Sequence, residues 1–429
     1  MKLSELGERR VVRDILRLLG VGPTGEGRGH RRDHARPGGV VSGAPGDDCA
    51  FIEWGGAFLL ATSDVVSPRT HVPMEAPWIW GWHAAAVNLS DIAAKGGEPL
   101  GVLMSLLLPP GTEENVALEI MRGARDCCAR FGTVILGGDT KEGAEVAISG
   151  TAIGRVPRGM LMPRGGARPG DLLAVTGVLG EAAAGYLFLR GDTGRGVPAK
   201  NLAGGGDVGA RGAESTGDVV ATGGAKEIRR RLGSRFGSGW LKRLRLSRAS
   251  RGPSSLKEQA LLRFLAPVPR LEEGRAAART RKVHACTDIS DGLSASVHQL
   301  CEASGTGAVI ELERLPVAPV LYKIGLGRAS GCHSGKSAGS RARQTTRRPR
   351  FSLTMSPEEL ALNFGGDYEL LMALPPGEWE RVQRAVLRTG TQITMVGKVT
   401  GGRRVLLLDR GRVRPMGYGG WEHFVTRVE

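Results

Sequence analysis

The sequence predicts a mixed α/β (α+β) protein of two domains, and three observations carry that reading. Strand-like apolar runs at 57–63, 100–108, 133–136 and 145–154 alternate with helical stretches at 77–95 and 113–130. Twice the periodicity dissolves into Gly-, Ser- and Arg-rich sequence, at 191–255 and 325–350, and then returns. At 429 residues the chain also has room for two cores. The expected division is 1–155 and 156–429, with the two low-complexity stretches as surface insertions in the second domain.

Residues 4–20 read as an amphipathic helix, with Leu6, Val11, Ile15 and Leu18 at helical spacing. Residues 22–45 are rich in Gly, Arg and Pro and read as a loop. The stretch 77–95 is apolar nearly all round, which predicts a buried helix, whereas 113–130 is amphipathic. The second half opens with the turn GARPGD (166–171) into the strand LLAVTG, followed by a helix around 180–190. Residues 256–280 read as one helical stretch and 282–287 as a strand. Further strands are expected near 369–374, 393–399 and 404–408.

The formal charge of +16 is confined to two places. Residues 190–251 hold 14 Lys/Arg against 5 Asp/Glu, and 328–350 hold 7 Lys/Arg and no acid, so the rest of the chain is neutral. Only Phe236 and Trp240 interleave these basic stretches, which argues against base stacking and makes nucleic acid an unlikely partner. Six cysteines (49, 127, 128, 286, 301, 332) form no CxxC pair, so neither zinc nor a disulfide framework is indicated. No run is apolar enough to span a bilayer or serve as a signal peptide, and a cytoplasmic protein is expected.

Acids recur beside Gly, Ser or Thr: Asp48 in GDD (46–48), Asp64 in TSD (62–64), Asp91 in NLSD (88–91), Asp139 in GGDT (137–140), and Asp288 with Asp291 in DISDGL (288–293). Hard cations such as Mg²⁺ take oxygen ligands, and no lysine P-loop accompanies these acids. Singly, each has a plain alternative: a solvated turn, a strand-end cap, or a helix N-cap for Asp291. Asp91 stands out, because a carboxylate in a buried helix needs a cation or several N–H donors. The glycines of GGDT permit close backbone approach to a ligand. Arg164 in PRGGARPGD is a candidate phosphate contact, balanced by a solvated turn arginine. His71 lies in an expected loop seven residues after Asp64.

In their order, GDDCA, TSD with His71, WHAAAVNLSDIAAKGG, LGGDT, PRGGARPGDLLAVTG, DISDGL, GGDYELL (365–371) and GWEHF (420–424) resemble the thiamine-monophosphate kinase family, within the larger ATP-binding group typified by aminoimidazole ribonucleotide synthetase. The resemblance covers most of 1–190, 256–324 and 352–429. It implies two α/β domains, a homodimer formed through the N-terminal halves, and ATP-dependent phosphorylation of thiamine monophosphate to thiamine diphosphate. Carried over by motif, Asp48, Thr62, Ser63, Asp64, Asp91, Asp139, Asp288 and Asp291 would hold Mg²⁺, with Asp91, Asp139 and Asp291 the catalytic acids. Gly138, Asp139, Arg164 and Ser290 would contact ATP. His71, Asp367 and Trp421 would lie by the substrate. Many family members read GGEDYEL; aligned on DYEL, this chain has Gly366 in place of the glutamate and keeps Asp367.

Other members of the group fit less well. A selenophosphate synthetase would carry a reactive cysteine in the N-terminal glycine-rich loop, and 22–45 has none. A hydrogenase-maturation relative would end in cysteine, and this chain ends in Glu429. Aminoimidazole ribonucleotide synthetase is the remaining alternative, and GWEHF argues against it.

Overall fold

The structure is a computed structural model that describes residues 8–18, 41–42, 46–67, 76–191, 255–324 and 355–420. The basic stretches at 191–255 and 325–350 lie outside the described residues, apart from Gly191 and Ser255 at their margins. Among the described residues no helix is long and apolar enough to cross a membrane.

The first half runs α1 (Glu8–Leu18), β1 (Val41–Ser42), β2 (Ala50–Trp54), β3 (Ala57–Val66), α2 (Pro77–Ala94), β4 (Glu98–Leu108), α3 (Glu114–Arg130), β5 (Ile135–Glu142) and β6 (Ala147–Pro157). Its six strands form one sheet in the order β1-β2-β3-β6-β4-β5. All pairs are antiparallel except β4 with β5, which are joined through α3 as a parallel pair must be. On β6 every second residue from Ile148 to Val156 is buried, so one face of the sheet packs on helices and the other is open.

The helix α2 is the centre of the molecule. Sixteen of its eighteen residues are buried, as its all-round apolar sequence predicts. Its backbone lies tight against α3. A Cβ on Gly81 would sit 1.7 Å from the Ile120 carbonyl oxygen, and one on Gly123 would sit 1.8 Å from that of Trp78. The indole N–H of Trp78 donates to Asp126 at 2.8 Å, and that of Trp82 reaches the Pro267 carbonyl at 3.0 Å. This second bond ties α2 to the other half of the chain.

That half comprises β7 (Leu172–Thr176), α4 (Glu181–Gly191), α5 (Leu256–Leu265), α6 (Leu271–Thr280), β8 (Ala285–Ile289), α7 (Leu293–Ser304), β9 (Gly307–Glu311), α8 (Pro319–Lys323), α9 (Pro357–Asn363), β10 (Glu369–Leu374), α10 (Trp379–Leu387), β11 (Ile393–Thr400), β12 (Val405–Asp409) and β13 (Arg412–Pro415). Its seven-stranded sheet has the order β13-β12-β9-β11-β7-β10-β8, antiparallel except for β9 with β12. The helical stretch expected over 256–280 is two helices, α5 and α6. Pro267 and Pro269 separate them, because proline lacks the N–H a continuing helix needs.

One buried cluster joins α2 to Ala277 and Ala278 of α6, Cys286 of β8 and Leu370 of β10. The helix is thus enclosed between the first sheet and the elements of the second, and its C-terminal turns meet β8.

Candidate active site

Four segments converge where α2 ends: the loop 46–48, the end of β3, the last turns of α2, and the end of β8. Asp48, Asp91 and Asp288 each offer a carboxylate oxygen, all within 4.8 Å of one another. Strand alternation sends Thr62 and Asp64 to the α2 side, where the Thr62 hydroxyl donates to Asp91 Oδ2 at 2.5 Å. Gly150, opposite Asp64 on β6, makes room for α2, since a Cβ there would lie 2.4 Å from Asn88 Nδ2. Asn88 then accepts the Asp64 N–H at 3.1 Å and donates to the Ala84 carbonyl at 2.8 Å. Ser90 donates to Asp288 Oδ2 at 2.7 Å.

Beneath these acids lies Lys95, a fully buried lysine. Its ammonium is 2.5 Å from Asp47 and 2.8 Å from Asp48, and it donates to the Cys286 carbonyl at 2.9 Å. Arg164 closes the other side. Its guanidinium bonds Asp48, the Gly46 carbonyl and the Thr287 hydroxyl, and its backbone N–H donates to Asp47 at 2.8 Å.

The charges divide the site. Burial pushes the Asp48 carboxyl up, but Arg164 and Lys95 outweigh it and hold the group below its ordinary range. Burial, and then Asp64, Asp288 and Asp48, push Asp91 well above it. Asp288 is pushed up to about 7 by burial and by Asp48. Asp291 reaches about 7 through burial and Glu8. Asp64, at the more exposed rim, is raised by burial. The charged groups shifting Asp91 are thus all acids. A buried set of oxygen donors with unbalanced like charge fits a hard divalent cation such as Mg²⁺.

The structure brings together Asp48, Thr62, Asp64, Asp91 and Asp288, with Asp291 at the next turn. It does not bring in Ser63 or Asp139. The Ser63 hydroxyl points to the opposite face of β3, onto the Gly150 carbonyl and Thr151. Gly138 and Asp139 lie on the edge strand β5, three strands from β3, or about 14 Å. Gly138 is needed there for packing, since a Cβ would meet the Met104 carbonyl at 1.7 Å. Asp139 pairs across the sheet with Ser105, which pairs with Ser149, which pairs with Val65, so it stands on the open face.

Arg164, expected at ATP, is engaged by the 46–48 loop. Asp291 is not a helix cap: the N-cap of α7 is Gly292, with no side-chain cap bond. Ser290 is half-buried beside it, and its carbonyl accepts the Gly366 N–H at 2.7 Å. Asp367, expected by the substrate, caps α4 instead, accepting from the N–H groups of Gly180 at 2.6 Å and Ala182 at 3.0 Å. His71 and Trp421 lie outside the described residues; Gly420, the last described residue, lies against the Asp291 carbonyl.

The glycine at 366 has a physical reason. Its φ of 92° is in the left-handed region, where a side chain costs about 1–2 kcal/mol. Gly366→Glu is expected to lower stability by about that much in urea denaturation. Unchanged stability would mean that the backbone here adapts.

The sequence reading did not single out Lys95, Asp47 or Thr287. The available signal was Lys95 itself, one helical turn after Asp91 at the end of an apolar helix.

Comparison with known proteins gives a consistent result. The family described as AIR synthase related protein, N-terminal domain, matches residues 46–156, and its C-terminal domain counterpart matches 215–409. A thiamine-monophosphate kinase from Methanospirillum hungatei is 32% identical over 274 residues, covering 64% of this chain and 71% of the relative. One from Pyrococcus abyssi is 25% identical over 385 residues, covering 90% and 92%. A solved structure described as AaThiL complexed with AMPPCP and TMP has a TM-score of 0.65 at 23% identity and covers 99% of each chain. At that identity the likeness speaks to the fold.

Proposed function

We infer, from a chain that belongs to the thiamine-monophosphate kinase family of AIR synthase-related proteins, that it transfers the γ-phosphoryl group of ATP to thiamine monophosphate, giving thiamine diphosphate and ADP. The observation that carries this reading within the molecule is the three-carboxylate group of Asp48, Asp91 and Asp288, set among the motifs of that family.

The acceptor is a phosphate oxygen of thiamine monophosphate, already anionic near neutral pH, so no strong general base is required. That oxygen attacks the γ-phosphorus in line as the bond to the ADP oxygen breaks, and no phosphoenzyme forms. The main obstacle is repulsion between two anions. Asp48, Asp91 and Asp288, with Asp64 at the rim, would hold Mg²⁺, which would supply neutralisation of the phosphate charge. The chain's own residues prepare the donors. Thr62 fixes one Asp91 oxygen, Ser90 fixes one Asp288 oxygen, and Lys95 with Arg164 keeps Asp48 ionised. Such preorganisation means little rearrangement accompanies charge build-up in the transition state.

Homodimer formation is part of this reading. The open face of the first sheet exposes three large apolar side chains, Val65, Leu103 and Leu107, at 58%, 38% and 41%, among Ser105, Ser149 and Thr151. A second copy docked there covers them and brings Asp139, on the same face, to the interface between copies. Leu107→Asp is expected to convert the dimer to monomer in analytical ultracentrifugation. If Asp139 serves the site across that interface, mixing inactive Asp91→Asn and Asp139→Asn proteins should yield one intact site per heterodimer; no recovery in subunit-exchanged samples would place Asp139 outside the site. A cytoplasmic setting also belongs to this reading, supported by the five described cysteines, which are free and buried.

The reaction is tested with purified protein, Mg·ATP and thiamine monophosphate, following thiamine diphosphate by chromatography, with the aminoimidazole precursor and free thiamine in parallel. Thiamine diphosphate and ADP in equal amounts are expected. Turnover of the aminoimidazole precursor alone would move the protein elsewhere in the group.

A further inference from the structure

A second site lies away from the carboxylates, between α6 and α10. A cleft of about 640 Å³ separates these helices. Arg275 and Arg279, one turn apart on α6, line one wall; Arg381, Arg384 and Arg388, at helical spacing on and just after α10, line the other. Glu272 is the one acid in the lining. The counter-charges are sparse. Arg381 has only a long contact to Glu378 at 3.9 Å, and Arg384 donates to the Glu380 carbonyl of its own helix at 3.2 Å. Among the described residues Arg275, Arg279 and Arg388 have no acidic partner. Arg275 is half-buried and the other four are exposed, so the two walls present a concentration of positive charge to solvent with little compensation from the protein.

We propose that this cleft binds a small molecule carrying two or more linked phosphates. The volume falls within the roughly 300–1,000 Å³ of small-molecule sites. Guanidinium forks match phosphate oxygens in pairs. Five positive groups against one carboxylate leave four unbalanced charges, whereas a single phosphate brings about two at most; a diphosphate or triphosphate balances the set. No aromatic residue lines the cleft, so a base or other ring has nothing to stack on, and the phosphates carry the recognition. The same absence disfavours single-stranded nucleic acid.

The cleft lies on the far side of a helix that packs against the end of α2. The inner face of α6 packs on the end of α2: a Cβ on Gly274 would lie 2.1 Å from the Ala93 carbonyl, and one on Gly96 would lie 2.3 Å from Ala278 Cβ. Arg275 and Arg279 sit on the outer face of that same helix.

The test is calorimetric titration of the full chain with inorganic triphosphate, in EDTA so that no metal bridges phosphate to the carboxylates. Wild type and Asp91→Asn should bind alike and at least tenfold more tightly than they bind orthophosphate. An Arg279→Glu/Arg388→Glu protein should lose at least tenfold in affinity while its thiamine-monophosphate turnover stays at the wild-type level. Arg279→Gln, milder at an exposed position, should lose less and guards against misfolding. No binding, equal binding by the charge-reversed protein, or no preference over orthophosphate would overturn the proposal. So would a short RNA that binds more tightly through the same arginines. These readouts do not depend on turnover, so a failure here is separable from a failure of the kinase reading.

Discussion

Asp91→Asn is expected to lower turnover by about 10³-fold while leaving the metal-free protein as stable as wild type, or more so. The two effects share one cause. Asp91 is half-buried beside Asp64, Asp288 and Asp48, and desolvation with these acids holds its carboxyl well above the ordinary range. Without a cation, burial and the neighbouring acids therefore favour the protonated form of this group. Asparagine is close in shape to that protonated acid, so little stability is at stake, and mutual repulsion among the acids is reduced. With a cation the ionised oxygen is required, and asparagine offers a weaker neutral donor. Loss of one preorganised electrostatic contact at a reacting centre typically costs about 10²–10³ in rate, and here the lost group carries a full charge. The measurement pairs kcat with thermal melts in EDTA and in Mg²⁺. Wild type should gain stability from Mg²⁺, and Asp91→Asn should lose most of that gain. A variant that turned over at the wild-type rate would refute the assignment of Asp91 to metal.

The contrast between Asp64 and Asp139 shows what sequence carries and what it does not. Both acids follow small or hydroxyl residues in strands, and both read as ligands. Asp64 is placed on the α2 side of β3 by simple alternation. The position of Asp139 depends on strand order and register, because β5 joins the sheet three strands away and offset so that Asp139 faces outward. Neither fact is local. The helix α2 was legible because burial on all sides leaves a sequence without a polar face. The division of α5 from α6 was also present, in Pro267 and Pro269, but the flanking helical periodicity masked it. Lys95 stayed hidden for the reason Asp139 did: its partners, Asp47 and Asp48, are far along the chain, and a lysine at a helix C-terminus already has an ordinary explanation in the helix dipole. Motif resemblance named Asp48, Asp91 and Asp288, which the structure brings together, whereas the cations that hold Asp48 ionised emerged only from the packed structure.

Lys95→Met should then be among the most damaging single changes in the described chain. Lys95 is fully buried, and its ammonium contacts Asp47, Asp48 and the Cys286 carbonyl. Burial favours loss of its proton, yet Asp47 and Asp48 outweigh that and raise its pKa, so the lysine is charged at any working pH. Methionine is nearly isosteric, so packing changes little and the lost charge dominates. Removing one partner of a buried ion pair typically costs about 3–5 kcal/mol, because the other partner is left uncompensated. Here two carboxylates are left, with Arg164 alone to offset them. Part of the loss should return in the double variant Asp47→Asn/Lys95→Met, which removes one of the stranded charges. Arginine is not expected to rescue, since the site has no room for a forked head group. Urea denaturation of the wild type, both single variants and the double variant completes the cycle. Strict additivity, or a Lys95→Met protein as stable as wild type, would mean that the buried ammonium does not hold the loop 46–48. If the coupling is found, turnover should follow it, because the ammonium, together with Arg164, anchors the loop that presents Asp48 to Asp91 and Asp288.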